Sequence, residues 1–209
     1  MNLENITVNT QSSIRIGASA ILYFDPFQIT VSAHDADLIL ITHDHYDHFD
    51  AESIMRVMKE TTVLLGPLKM REAISGIAGD RPQHYMSPGD TLNVGDILIQ
   101  SVPAYNRLKP FHPKGNKWLG YVVTIDNVRY YVAGDTDAVK ELSAVSCDVA
   151  LVPIGGKFTM DAKEAAKLVN AIRPQAAIPT HYGSIVGKKD DAETFRKFTD
   201  DSIIVETRM

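Results

Sequence analysis

The chain has 209 residues, 44% of them hydrophobic and 22% charged, enough to bury a sizeable core as one domain over 1–209, with two small domains as the formal alternative. A net charge of −5 provides no broad basic field, so wholesale binding to nucleic acid or to an anionic membrane is not expected, although a local basic patch remains compatible with it. No stretch approaches the ~18 apolar residues of a membrane span, and the opening "MNLENITVNTQSSIRIG" lacks the basic start and apolar core of a signal peptide, so a soluble, cytoplasmic protein is expected.

In chain order, the first half is dominated by short β-branched runs: "SIRIG", "AILYFD", "LILIT", "TVLLG" and the long alternating "TLNVGDILIQSVPAY". Between them, Asp50 can cap a helix over "AESIMRVMKE", whose Ile54, Val57 and Met58 make an apolar stripe. "LGYVVTID" and "VRYYVAGD" meet around Asp126 and Asn127, the pattern of a tight hairpin. The strand "DVALVPIG" follows, with the single Cys147 just before it; lacking a cysteine partner, that residue reads as a packed thiol. Asp161 and Glu164 have capping-box spacing ahead of a helix that carries Ala165, Leu168, Val169 and Ile172 on one face and stops before Pro174. "AAIPTH", a third helix over about 190–199 and "SIIVE" complete the pattern of two β-sheets sandwiched by helices.

The chemistry begins directly after "LILI", where "THDHYDH" holds three of the chain's seven histidines between His43 and His48. If the segment is extended, alternation puts His43, His45 and Asp47 on one side and turns His48 elsewhere, which would serve two adjacent metal ions, each short of ligands. The missing donors are expected where other strands run out: Asp135 in "YYVAGDTD", His181 in "AAIPTHYG", and Asn106 or His112 in "VPAYNRLKPFHPKGN". Read singly, Asp135 is a turn aspartate and His181 a core histidine; beside the first motif both become candidate ligands. His34 and His84 read as surface or loop residues, and Asp137 as the cap of "AVKEL".

His43-x-His45-x-Asp47-His48, "AGDTD" and "PTHYG" together resemble the metallo-β-lactamase superfamily of metal-dependent hydrolases over essentially the whole chain. "LYFDPF", "VPIGGKFTMDAKEAAKLV" and "IPTHYG" resemble its prokaryotic branch of ascorbate-6-phosphate lactonase-like hydrolases. The resemblance implies an α/β, four-layer αββα sandwich with the site at one edge. It also implies that His43 and His45 bind metal 1, that Asp47, His48 and His181 bind metal 2, and that Asp135 bridges. The family's third histidine on metal 1 falls at Asn106, a weaker donor, so His112 is the expected substitute, with Asn106 itself or water as the alternatives. Asp25, before Pro26 at a strand end, is either a turn former or a lining residue of the site.

Two ions, or one, would polarise the scissile oxygen and supply a metal-bound hydroxide, with Asp47 as the catalytic proton carrier. Zinc suits the histidines, while the carboxylates also accept manganese or iron. Arg107, Lys109, Lys114 and Lys117 form the densest positive stretch, either a solvated loop or a clamp for an anionic group, with Phe111 and Trp118 as an apolar wall or as core. The expected substrate is a small anionic ester, lactone or phosphodiester, with Asp25, Asn106, Lys114 and Lys117 in contact with it. The alternative is a non-catalytic metal-binding or ligand-sensing protein with an incomplete metal 1 site, and a homo-oligomer stays open.

Overall fold

The computed structural model describes residues 3–208, so the first two residues and the last of the expected 1–209 domain lie outside it. Among the described residues, thirteen strands form two sheets. The first holds β1 (Ile6–Val8), β2 (Ile14–Gly17), β3 (Ile21–Phe24), β4 (Ala36–Leu40), β5 (Met58–Pro67) and β6 (Gln83–Met86) side by side in that order. The second holds β7 (Thr91–Val94), β8 (Ile97–Pro103), β9 (Leu119–Ile125), β10 (Val128–Val132), β11 (Val149–Pro153), β12 (Ala176–Thr180) and β13 (Ile204–Val205), also in chain order. Alternating apolar residues of both sheets, among them Ile16, Leu22, Leu40, Ile99, Tyr121 and Leu151, meet in one buried core between them.

Helices cover the outer faces. On the first sheet α1 (Ala51–Val57) and α2 (Arg71–Ala78) bury Ile54, Val57 and Ile74 against Ile39 and Leu64. On the second, α3 (Ala162–Ile172) and α4 (Asp191–Phe198) bury Ala165, Val169 and Phe195 against Ala150, Val152 and Ala177. The layers are therefore the expected αββα sandwich.

The local signals account for much of this. Asp161 and Glu164 make a complete capping box at the start of α3, and Asp50 accepts from the Glu52 amide at the start of α1. Asp126 and Asn127 have φ of 51° and 62°, the doubly left-handed turn that a two-residue hairpin between β9 and β10 requires. The first helix ends at Val57, and "MKE" enters β5 instead, because Met58 pairs with Ala36 of β4. The "SIIVE" strand shortens to two residues pairing with β12. His84 lies within β6 and His34 in the loop before β4. Cys147 is the buried thiol expected.

Strand direction places the site. The first sheet is parallel from β3 to β6 and the second from β10 to β13, and β8 runs with β10 because both are antiparallel to β9. Five strands, β3, β4, β8, β10 and β12, thus deliver the loops that carry the candidate residues from their C-terminal ends. The sheets are tied together there by the Leu119 amide donating to the Thr42 carbonyl (3.1 Å) and by the Tyr121 hydroxyl donating to the Ile41 carbonyl (2.6 Å). Gly134 makes the close approach possible: its φ is 62°, and a Cβ would stand 2.8 Å from the Leu119 carbonyl oxygen and 3.1 Å from the Thr42 Cβ.

Candidate metal centre

After β4 the chain does not stay extended. The amides of His48 and Phe49 both donate to the His45 carbonyl, at 3.0 and 2.9 Å, closing a turn. The alternation expected for an extended "THDHYDH" is therefore replaced by a wrapped loop in which the His43 and His48 rings lie 4.0 Å apart. The wrap is set from outside the segment. Buried Asp25, at the end of β3, accepts from the Thr42 amide (2.8 Å), the Thr42 hydroxyl (2.6 Å) and His48 Nδ1–H (2.7 Å).

Those bonds also fix tautomers. The Thr42 hydroxyl, having given its hydrogen to Asp25, accepts from His43 Nδ1–H at 2.9 Å. His112 Nδ1–H donates to the Asn106 Oδ1, also at 2.9 Å. His43, His48 and His112 thereby turn Nε2 toward the centre, where His43 Nε2 lies 3.1 Å from His45 Nδ1, the arrangement that orients imidazoles for a metal.

Two triads of donor atoms result. His43, His45 and His112 bring one nitrogen each within 4.8 Å of one another, as do the donors of Asp47, His48 and His181. Asp135, at the end of β10, touches both: it lies 3.3 Å from His112 Nε2, 3.4 Å from His48 Nε2 and 3.3 Å from His181 Nε2. Asp47 lies 3.4 Å from His181 Nε2. A third grouping, Asp25 with His43 and His48, has its carboxylate already engaged by Thr42 and His48 and so acts from behind the imidazoles.

Of the atoms that face one another across this cluster, four are buried with no hydrogen-bond partner among the described residues: His48 Nε2, His112 Nε2, His181 Nε2 and Asp135 Oδ1. Such groups are costly to leave bare, and nitrogen lone pairs converging with a carboxylate suit a divalent cation. The charges agree. Burial alone would push Asp135 up, but the imidazoles of His181 and His48, with that of His112 3.3 Å away, hold it well below the ordinary carboxylate range. Asp47 is opposed by burial too, and is held low by the His181 imidazole 3.4 Å away and the charge of His48. His43 is driven well below its ordinary value by burial and then by His48, so it stays a neutral donor; His45 is lowered by burial and His112. Burial opposes protonation of His48 as well, yet Asp135 and Asp25 outweigh it and hold that imidazole well above its usual value. Two ionised carboxylates among buried imidazoles are a pocket that calls for positive charge.

The remaining expected residues fall around this cluster, not inside it. Asn106 directs its carboxamide hydrogens to Asp137 (3.1 Å) and the Phe158 carbonyl (2.9 Å), so it supports His112 from behind and is not turned toward a substrate. Asp25 stands behind His48 in the same way. Asp137 does not cap the 140–144 turn, whose start has no side-chain cap. It instead holds the loop that follows β8, accepting from Asn106, the Arg107 amide and Lys109. Lys109 is thereby paired, at 2.6 Å, and Lys114 is paired with Glu141 at 2.8 Å, which leaves Arg107 and exposed Lys117 as the cations of the expected clamp without a described ion pair. Trp118 is a wall of the centre, 4.9 Å from the His43 and His45 rings and 5.4 Å from that of His112, whereas Phe111 is exposed and edge-on to Phe158. The sequence does not single out Thr42, for which the Thr-His pair at a strand end is the available signal, whereas Trp118 takes the wall position that was one of its two expected places.

Two facing sheets, helices outside and a His/Asp cluster at the C-terminal strand ends define a metallo-β-lactamase-type sandwich. The beta-lactamase superfamily domain matches residues 5–181, and the chain belongs to that superfamily, among its metal-dependent hydrolases. A UPF0173 metal-dependent hydrolase of Methanoregula boonei is 34% identical over 182 residues, covering 82% of this chain and 79% of the relative. One of Thermococcus kodakarensis is 36% identical over 174 residues, covering 80% and 76%. A solved structure from Parabacteroides distasonis, described as a metal-dependent hydrolase, is similar with a TM-score of 0.80 and 29% identity, covering 97% of this chain and 91% of that one. These relatives carry the broad hydrolase description, not the narrower lactonase-like one expected from the sequence.

Proposed function

We propose that this chain hydrolyses a small ester, lactone or phosphodiester with the help of two divalent ions, zinc first among them. His43, His45 and His112 would hold one ion, Asp47, His48 and His181 the other, and Asp135 would reach both. The observation that carries this reading is the convergence of the four buried, unpartnered atoms His48 Nε2, His112 Nε2, His181 Nε2 and Asp135 Oδ1. Bound there, the ions would supply Lewis acidity to the scissile carbonyl or phosphoryl group and lower the pKa of water towards ~7. The nitrogen-rich triad favours zinc, and the carboxylates of the other also accept manganese or iron.

The chain's own groups have distinct tasks in this account. Asp47 takes and returns the proton, since it is ionised and keeps 10% side-chain exposure where Asp135 keeps 3%. Trp118 and the wrapped loop exclude water from the imidazoles. The anionic part of a substrate is left to Arg107 and Lys117, because Lys109 and Lys114 are already paired. Exposed Tyr46 and Phe111, each adjacent in sequence to a proposed ligand, favour a substrate with an apolar body.

The test is a panel of lactones, esters and phosphodiesters offered to metal-stripped protein and to protein reloaded with zinc, manganese or iron. Hydrolysis by reloaded protein alone, falling ~10²-fold or more in Asp47→Asn, is the expected result. Loaded protein that is inert across the panel, or Asp47→Asn as active as the parent, would contradict it.

A further inference from the structure

His43, His48 and His112 each have a partner that fixes Nδ1–H: Thr42, Asp25 and Asn106. His181 has none. Its Nδ1 is buried and unpartnered among the described residues. On one side Gly155 brings no side chain; a Cβ there would stand 3.4 Å from His181 Nδ1 and 2.4 Å from the His181 carbonyl oxygen.

A second unexplained group belongs to the same place. Gln11 is wholly buried, and neither its Nε2 nor its Oε1 has a partner among the described residues. Its backbone carbonyl accepts the His181 amide hydrogen at 3.0 Å. Both residues are left-handed, with φ of 49° for Gln11 and 56° for His181, a conformation that costs free energy for residues with a side chain and tends to persist at functional sites. The other unpartnered buried atoms outside the metal cluster belong to Asn5, Tyr131 and Arg208, none of which has a described backbone bond to a candidate ligand.

Resting on the metal-centre reading above, we propose that Gln11 is the positioning residue of His181. Its carboxamide oxygen takes the His181 Nδ1–H through one bridging water, which fixes the tautomer that leaves Nε2 facing Asp47 and Asp135. A primary amide can do this and also donate to the bridging water's neighbours, which explains why a polar side chain occupies a wholly buried position. The logic is that of Asn106 on His112, supplied from the turn after β1.

The experiment uses the full chain loaded with zinc. In protein carrying ¹⁵N-histidine, long-range ¹H–¹⁵N spectra are expected to show His181 protonated at Nδ1 with slow solvent exchange. Chelator competition is expected to show that Gln11→Leu weakens the more His181-dependent of the binding steps by ~10–100-fold, with faster Nδ1 exchange, while Gln11→Glu, which keeps an acceptor, restores both. An unprotonated Nδ1, an unchanged affinity in Gln11→Leu, or an equal loss in the Leu and Glu variants would overturn the proposal. If Gln11→Leu does not fold, the spectrum of the parent protein decides it alone. His181→Ala separates the two levels: if metal binding ignores that change, the metal-centre reading falls and Gln11's role with it. If binding responds to His181→Ala but not to Gln11→Leu, only the role of Gln11 falls.

Discussion

Replacing Asn106 by leucine keeps the side-chain size and removes three hydrogen bonds: to Asp137 at 3.1 Å, to the Phe158 carbonyl at 2.9 Å and from His112 Nδ1 at 2.9 Å. Asp137 retains Arg107 and Lys109, so its loss is small. His112 Nδ1–H and the Phe158 carbonyl lose a partner in a largely buried setting. At ~1–3 kcal/mol for each group left without a partner, Asn106→Leu should destabilise the metal-free protein by about 2–6 kcal/mol, read as a lower denaturant midpoint at unchanged slope. The same change frees the His112 ring, and loss of such an orienting partner weakens metal binding by ~10–100-fold, or about 1.4–2.7 kcal/mol. Isothermal titration should show that loss in the binding step that also depends on His43 and His45, with the step that depends on His48 and His181 retained. Unchanged stability, or a loss confined to the second step, would refute the assignment of Asn106 to His112.

The remaining predictions concern separate parts of the fold. Asp161→Ala removes the capping box of α3 and should cost about 1 kcal/mol of stability in urea denaturation, without affecting metal binding. Gly134→Ala should cost roughly 1–3 kcal/mol from its positive φ alone, and because its Cβ would press on Leu119 and Thr42 it should also displace Asp135 and lower metal content measured by elemental analysis. Burial pushes the Cys147 thiol up to about 12. The native chain therefore keeps a proton that the unfolded chain releases near 9, and stability should fall with rising pH between those values by up to ~1.4 kcal/mol per unit from this group. Denaturation of the parent against Cys147→Ala across that range measures the difference, and at pH 8 the native thiol should react with a thiol reagent only as fast as the protein opens.

How far the sequence reveals this molecule differs between its parts. Capping of α1 and α3, the Asp126–Asn127 hairpin and most strands follow from local patterns, because the forces that set them act within a few residues. β1 is three residues long, β6 reads "QHYM" with no alternation, and α2 carries Gly76, so none has a local signature strong enough to detect. The candidate ligands were visible as a cluster of histidines and as Asp135 and His181 at strand ends. Their arrangement was not, because the turn in "THDHYDH" is held by Asp25, 17 residues before Thr42 and 23 before His48. Asp137 shows the same limit. Its position suggests a helix cap, yet its carboxylate serves Asn106, Arg107 and Lys109, some 30 residues back. Its pairing with Lys109, together with that of Lys114 with Glu141, removes two of the four cations from the expected anion clamp.

The most direct test of the two-ion account is anomalous diffraction from crystals grown with zinc, recorded on both sides of the zinc absorption edge. The account predicts two peaks, one among His43, His45 and His112 and one among Asp47, His48 and His181, with Asp135 in contact with both. A single peak against Asp25, or none within reach of His181, would contradict it.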